Sequence, residues 1–192
     1  MSPDEKAARL IDAASALLAA APKQQLNTLS LNKGLFYLDL VSLRDAGEVF
    51  TCNAYIALEN GPVVAKYKDR LLKRLESLGV ATLTQIGSAK RIQLVKPPEF
   101  SGSVSTISDI ATRIARWCSN KTADELSVYS HDNPGWIIAR QDESLGRGAK
   151  CSIDMNIAMQ QIADEDPWMD LPLADPERAS CNAVDVEKGQ PW

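Results

Sequence analysis

The chain has a single histidine, and it stands where catalysis would first be sought: Ser130-His131-Asp132 places a nucleophile, a base and an acid side by side. Neighbours in sequence do not make a triad, because the three side chains must converge in space from a rigid scaffold. The glycine pattern of a nucleophile elbow is also missing around Ser130. A histidine at a helix end instead satisfies free carbonyls or sits favourably at the negative end of the dipole, and His131 is read in that way. The four cysteines, Cys52, Cys118, Cys151 and Cys181, lack the two-residue spacing of a zinc knuckle or redox motif and read as reduced, mostly buried thiols. Neither Gly61 nor Gly146-Arg147-Gly148 carries the lysine and hydroxyl of a phosphate-cradling loop. No catalytic residue, no cofactor-binding residue and no metal ligand is therefore assigned, and an enzyme is not expected.

Binding chemistry is better represented. Lys66, Lys68, Arg70, Lys73 and Arg74 share the polar side of a predicted helix with Asp69 and Glu76, and Lys90-Arg91 adds charge just beyond it. A basic helix followed by a basic hairpin is the arrangement of a winged-helix nucleic-acid binder. The net charge of -4 and pI near 5.1 make DNA the weaker of the expected partners. Residues 164–192 hold eight acids and two bases, which leaves the rest of the chain positive by two. This acidic segment also carries Trp168, Met169 and Leu171, which can bury apolar area against a surface. Lys66, Arg70, Lys73 and Arg74, with Trp168, Met169 and Leu171, are the candidate partner-binding residues.

These side chains need elements to position them, and 192 residues with 45% hydrophobic content suit one domain, over 1–163, plus an acidic, proline-rich tail over 164–192. Ser2-Pro3-Asp4-Glu5 reads as a capping box that opens a helix with Leu10, Ala14, Leu17, Leu18 and Ala21 on one face. Thr28 or Ser30 is expected to cap a second helix, whose two apolar stripes imply burial on more than one side and whose end is marked by Ala46-Gly47. A strand over 55–58 leads to Gly61-Pro62, read as a sharp corner that starts the basic helix over 63–78, with Gly79 as its C-cap. A hairpin over 80–96 turns at Gly87-Ser88-Ala89-Lys90 and, with the 55–58 strand, is expected to form a three-stranded antiparallel sheet. Beyond Pro97-Pro98 and Ser101-Gly102 come a helix marked by Val104, Ile107, Ala111, Ile114 and Cys118, and another capped by Thr122 with Glu125. A corner at 131–136 and a last helix near 154–163 complete the order. The expected class is α+β, predominantly α-helical: a compact helical domain with one small antiparallel sheet. No run of about 18 apolar residues spans a membrane and no basic start precedes an unbroken apolar stretch, so a cytoplasmic location is expected.

Three stretches, in order, resemble one family. LNKGLFYLDLVSLRDAG supplies Lys33, Tyr37 and Arg44 around an aromatic core. NAYIALENGPVV supplies Tyr55, Gly61 and Pro62, and SHDNPGW supplies Ser130, His131, Pro134 and Trp136. Together they are similar to the Panacea domain of SocA-like antitoxins and phage-associated proteins over about residues 26–141. The resemblance implies a protein that neutralises a toxin encoded beside it by direct binding, with delivery of the toxin to a protease in some members. It also implies that these ten residues form a scaffold rather than an active site. A winged-helix-like DNA-binding regulator is the alternative.

Overall fold

The computed structural model describes residues 1–87, 89–96, 107–144 and 151–169. Helix α1 (Pro3–Ala20) opens with the expected capping box, in which Ser2 and Glu5 bond each other's backbone N–H. A 3-10 turn and strand β1 (Gln25–Asn27) lead into α2 (Thr28–Ala46), capped by the Asn27 side chain rather than by Thr28 or Ser30. Gly47 ends α2 in the left-handed conformation at φ 75°. Every residue from Thr28 to Val41 is buried, because α1, α4, α5 and β3 all pack on this helix. Gly34, unfavourable inside a helix by about 1 kcal/mol relative to alanine, lies where a methyl would come within 3.2 Å of Leu17 Cδ1. Its cost is offset by the close approach of α1 to α2.

Two corrections concern the strands. Tyr55–Leu58 (β2) does not join the 80–96 hairpin. It pairs with Gly61–Val64 (β3) in a separate two-stranded hairpin, with Tyr55 opposite Val64 and Leu58 opposite Gly61. The three-stranded sheet is real, but β1 supplies its third member, giving the order β1-β5-β4 with β4 at Ala81–Ile86 and β5 at Ala89–Leu94. Gly61-Pro62 is accordingly not a strand-to-helix corner. The β-branched Val63 and Val64 pair with Ile56 and Tyr55, and helix starts only at Lys68. It begins as a π-helical turn (Lys68–Leu72) and continues as α3 (Lys73–Ser77), with Gly79 left-handed just past its end.

Helix α4 (Ser108–Ser119) buries Ala111, Ile114, Ala115, Trp117 and Cys118. Helix α5 (Ala123–His131) carries the expected Thr122–Glu125 capping box and ends on His131. Helix α6 (Pro134–Ser144) follows at once, and α7 (Met155–Ala158) runs on as a 3-10 turn to Ile162. Packing continues past Ala163: the Arg44 guanidinium binds Asp166, and Trp168 is only 2% exposed. Val104, Pro97-Pro98, Ser101-Gly102, Gly146-Arg147-Gly148, Leu171 and Cys181 lie outside the described residues.

Candidate functional site

The three stretches singled out in the sequence meet at the turn of the β2–β3 hairpin. Lys33, projecting from the middle of α2, donates from Nζ to the Asn60 carbonyl at 2.5 Å and to that of Pro62 at 3.5 Å. Ser127 of α5 also donates to Asn60 O, at 3.4 Å. His131 bonds the Glu59 backbone, and the Trp136 indole N–H donates to Leu58 O at 3.0 Å. The imidazole and indole rings stack, with centroids 4.2 Å apart. Four side chains on three helices thus fasten consecutive carbonyls of one tight turn. Ser130 Oγ turns away to Ser127 O, and it packs beside Lys33 Nζ over Gly61, whose φ of 99° and missing Cβ make room for both.

The electrostatics fit a clamp. Lys33 is wholly buried, and burial holds its amine well below the usual lysine range. Burial also pushes the nearby Cys118 thiol up to about 12, and Lys33 is satisfied by main-chain carbonyls. Burial also lowers His131, whose Nε2 is a buried atom with no hydrogen-bond partner among the described residues. Ser130 is fully buried and its hydroxyl is committed to main chain, so Ser130-His131-Asp132 does not assemble as a triad.

A second buried network holds the open end of the same hairpin at Tyr55, and no motif pointed to it. Asp39 accepts from Thr51 N at 2.8 Å, Thr51 Oγ1 at 2.5 Å and Tyr55 OH at 2.8 Å, tying the loop before β2 to α2. Burial pushes its carboxyl up to about 6 despite these three bonds. The folded chain therefore keeps a proton that the unfolded chain releases, so the contribution of Asp39 is fully present below about pH 4 and is lost as pH rises through about 6. Urea unfolding of the parent and of Asp39→Asn is expected to show the parent losing on the order of 2 kcal/mol relative to the variant between those limits. Parallel pH profiles for the two proteins would contradict the assignment.

Asn133 caps α6 by accepting from Trp136 N at 3.2 Å, and it donates to Ala158 O and Gln161 Oε1. Gln161 reaches on to Tyr129 O and accepts from Tyr37 OH, which joins α7 to the aromatic centre. An acid between apolar residues in FYLDLVS and an asparagine at a proline corner were the available signals for Asp39 and Asn133. Ser127 and Gln161 gave none, because their partners are all distant in the chain or main-chain atoms.

The candidate partner-binding residues are dispersed. Lys66, Arg70, Lys73 and Arg74 are all exposed around the π-helical turn and α3, away from the clamp. Trp168 is inside the core, 5.7 Å from the rings of both Tyr37 and Trp117, so it offers no surface to a partner in this state. Met169, half exposed, lines a cleft of about 610 Å³ whose floor includes Val41 and Phe50 and whose rim carries Arg44, Ile110 and Arg113. Among the described residues no group of three or more His, Cys, Asp or Glu side chains could hold a metal ion, and no helix is long and apolar enough to cross a membrane.

Neither a curated protein nor a solved structure matches the chain. The family model described as antitoxin SocA-like, Panacea domain, matches residues 31–137, close to the 26–141 expected from the motifs. That span is more than half the chain and contains all four residues that clamp the hairpin turn. The chain therefore belongs to the SocA-like antitoxin family and carries its Panacea domain.

Proposed function

We propose that this protein is an antitoxin that binds a protein toxin encoded by the adjacent gene and blocks it without chemistry of its own. Family membership over residues 31–137 is the observation that carries this reading. Its geometry is consistent with a binding role, because the polar side chains of the clamp all address main-chain atoms and hold a shape. The fold alone does not identify a partner. The cleft around Met169 has the character of a protein-binding surface: an apolar floor with arginine and methionine at the rim, side chains enriched where proteins meet.

Co-expression tests the reading. Cells carrying the adjacent gene alone are expected to stop growing, and cells carrying both genes are expected to grow. Toxin abundance in the rescued cells separates the two modes, staying level under blocking and falling under delivery to a protease. A harmless neighbouring gene, or one that remains lethal beside this protein, would remove the proposal.

A further inference from the structure

Residues 66–96 hold eight basic and two acidic side chains in a chain whose net charge is -4. The structure gathers them on two adjoining elements. Tyr67, Leu71, Leu72 and Leu75 face the core, which leaves Lys66, Arg70, Lys73 and Arg74 exposed at helical spacing. Lys73 is held by Asp69 at 2.6 Å, whereas Arg70 and Arg74 form no ion pair with any described residue. The backbone here is unusual: Lys66 is left-handed at φ 59°, and Lys68–Leu72 winds as a π turn, features that recur at functional sites. Immediately after the helix, β4 packs against α3 and pairs with β5, setting Lys90 opposite Gln85 and Arg91 opposite Thr84 near the hairpin tip.

We infer that this helix and hairpin form a binding surface for duplex DNA, separate from the surface that meets the toxin. The order α1, β1, α2, basic helix, hairpin, with sheet order β1-β5-β4, is that of a winged-helix binder into which β2–β3 has been inserted. In such an arrangement the helix enters a major groove wide enough for it, and the hairpin lies along the backbone. Charge favours a polyanion, and composition favours DNA over an acidic protein. Over 66–77 the exposed face offers no aromatic or aliphatic anchor of the kind that protein interfaces use, and the exposed Leu78 and Val95 stand at the far ends of the helix and hairpin, away from Lys90 and Arg91 at the tip.

The test is fluorescence anisotropy with the full chain and a labelled duplex of its own upstream sequence, the same strand unpaired serving as the comparison. Binding is expected at low salt, with log affinity falling against log salt at a slope of roughly -3 to -4 for about four phosphate contacts. Arg70→Glu/Arg74→Glu is expected to weaken it at least about tenfold and to flatten the slope by roughly two. Both side chains are exposed, so its thermal melt should match the parent's. No duplex binding at low salt, equal binding of the unpaired strand, or unchanged affinity in the double variant would each overturn the inference. A double variant that keeps the duplex but loses toxin rescue would assign the face to an acidic protein instead.

Discussion

Replacing Gly61 by alanine is expected to destabilise the fold by about 3 kcal/mol or more, a large share of what a domain of this size has to lose. Two independent causes add. The backbone at 61 has φ 99°, which an L side chain rarely adopts, and the added methyl would overlap both the Lys33 ammonium nitrogen and Ser130 Oγ. Neither neighbour can step aside freely. Lys33 Nζ is held by the Asn60 and Pro62 carbonyls, and Ser130 Oγ by Ser127 O. Denaturant midpoints followed by circular dichroism measure the loss. Combining Gly61→Ala with Ser130→Ala should return part of it, since one overlap is relieved while the backbone strain stays. An alanine variant as stable as the parent would show that the hairpin turn is not gripped in this way.

Ending the chain after Ala163 is expected to cost about 3–5 kcal/mol more than ending it after Met169. The shorter chain loses Trp168, which packs against Tyr37 and Trp117, and Asp166, whose carboxylate binds the Arg44 guanidinium at 2.6 Å. Arg44 also donates to Ile162 O, so the same side chain anchors the segment on both sides of residue 163. Trp168→Ala in the full chain should reproduce most of the loss, because removing the indole leaves a cavity beside a rigid aromatic cluster. Equal melting temperatures for the two truncations would contradict the packing. The pair also settles how tail function must be tested: failure of toxin rescue in the shorter chain reports unfolding, whereas failure after Met169 reports a contact made by residues 170–192.

Sequence revealed most where the determinant is local. The Ser2–Glu5 and Thr122–Glu125 capping boxes, the left-handed glycines at 47 and 79, and the two apolar stripes of α2 are each written within a few neighbouring residues. Distant pairing was not legible in this way. Strand β1 is three residues long and shows no periodicity, and only its register with Ile92 and Gln93 makes it a strand. At Gly61-Pro62 a proline at a helix start competes with a hairpin signal, and the hairpin wins: Asn60-Gly61 lies between apolar runs, and the following Val63-Val64 favours a strand. Trp168 stands alone in an acidic, proline-rich stretch, where one aromatic gives no pattern from which burial can be inferred.

The clamp shows the same division. Lys33, His131 and Trp136 were visible among the family motifs, but the target they share with Ser127 was not, because all four converge on main-chain atoms of one turn. Main-chain acceptors carry no residue signature. Lys33, Ser127, His131 and Trp136 together fasten a turn.

Titration calorimetry of the purified full chain against the purified product of the adjacent gene, made as an inactive variant, tests antitoxin function most directly. A saturable complex of fixed stoichiometry is the predicted result, with the added chain suppressing the active toxin's effect at the same ratio. No heat of binding and no co-elution, while the toxin remains fully active, would contradict it.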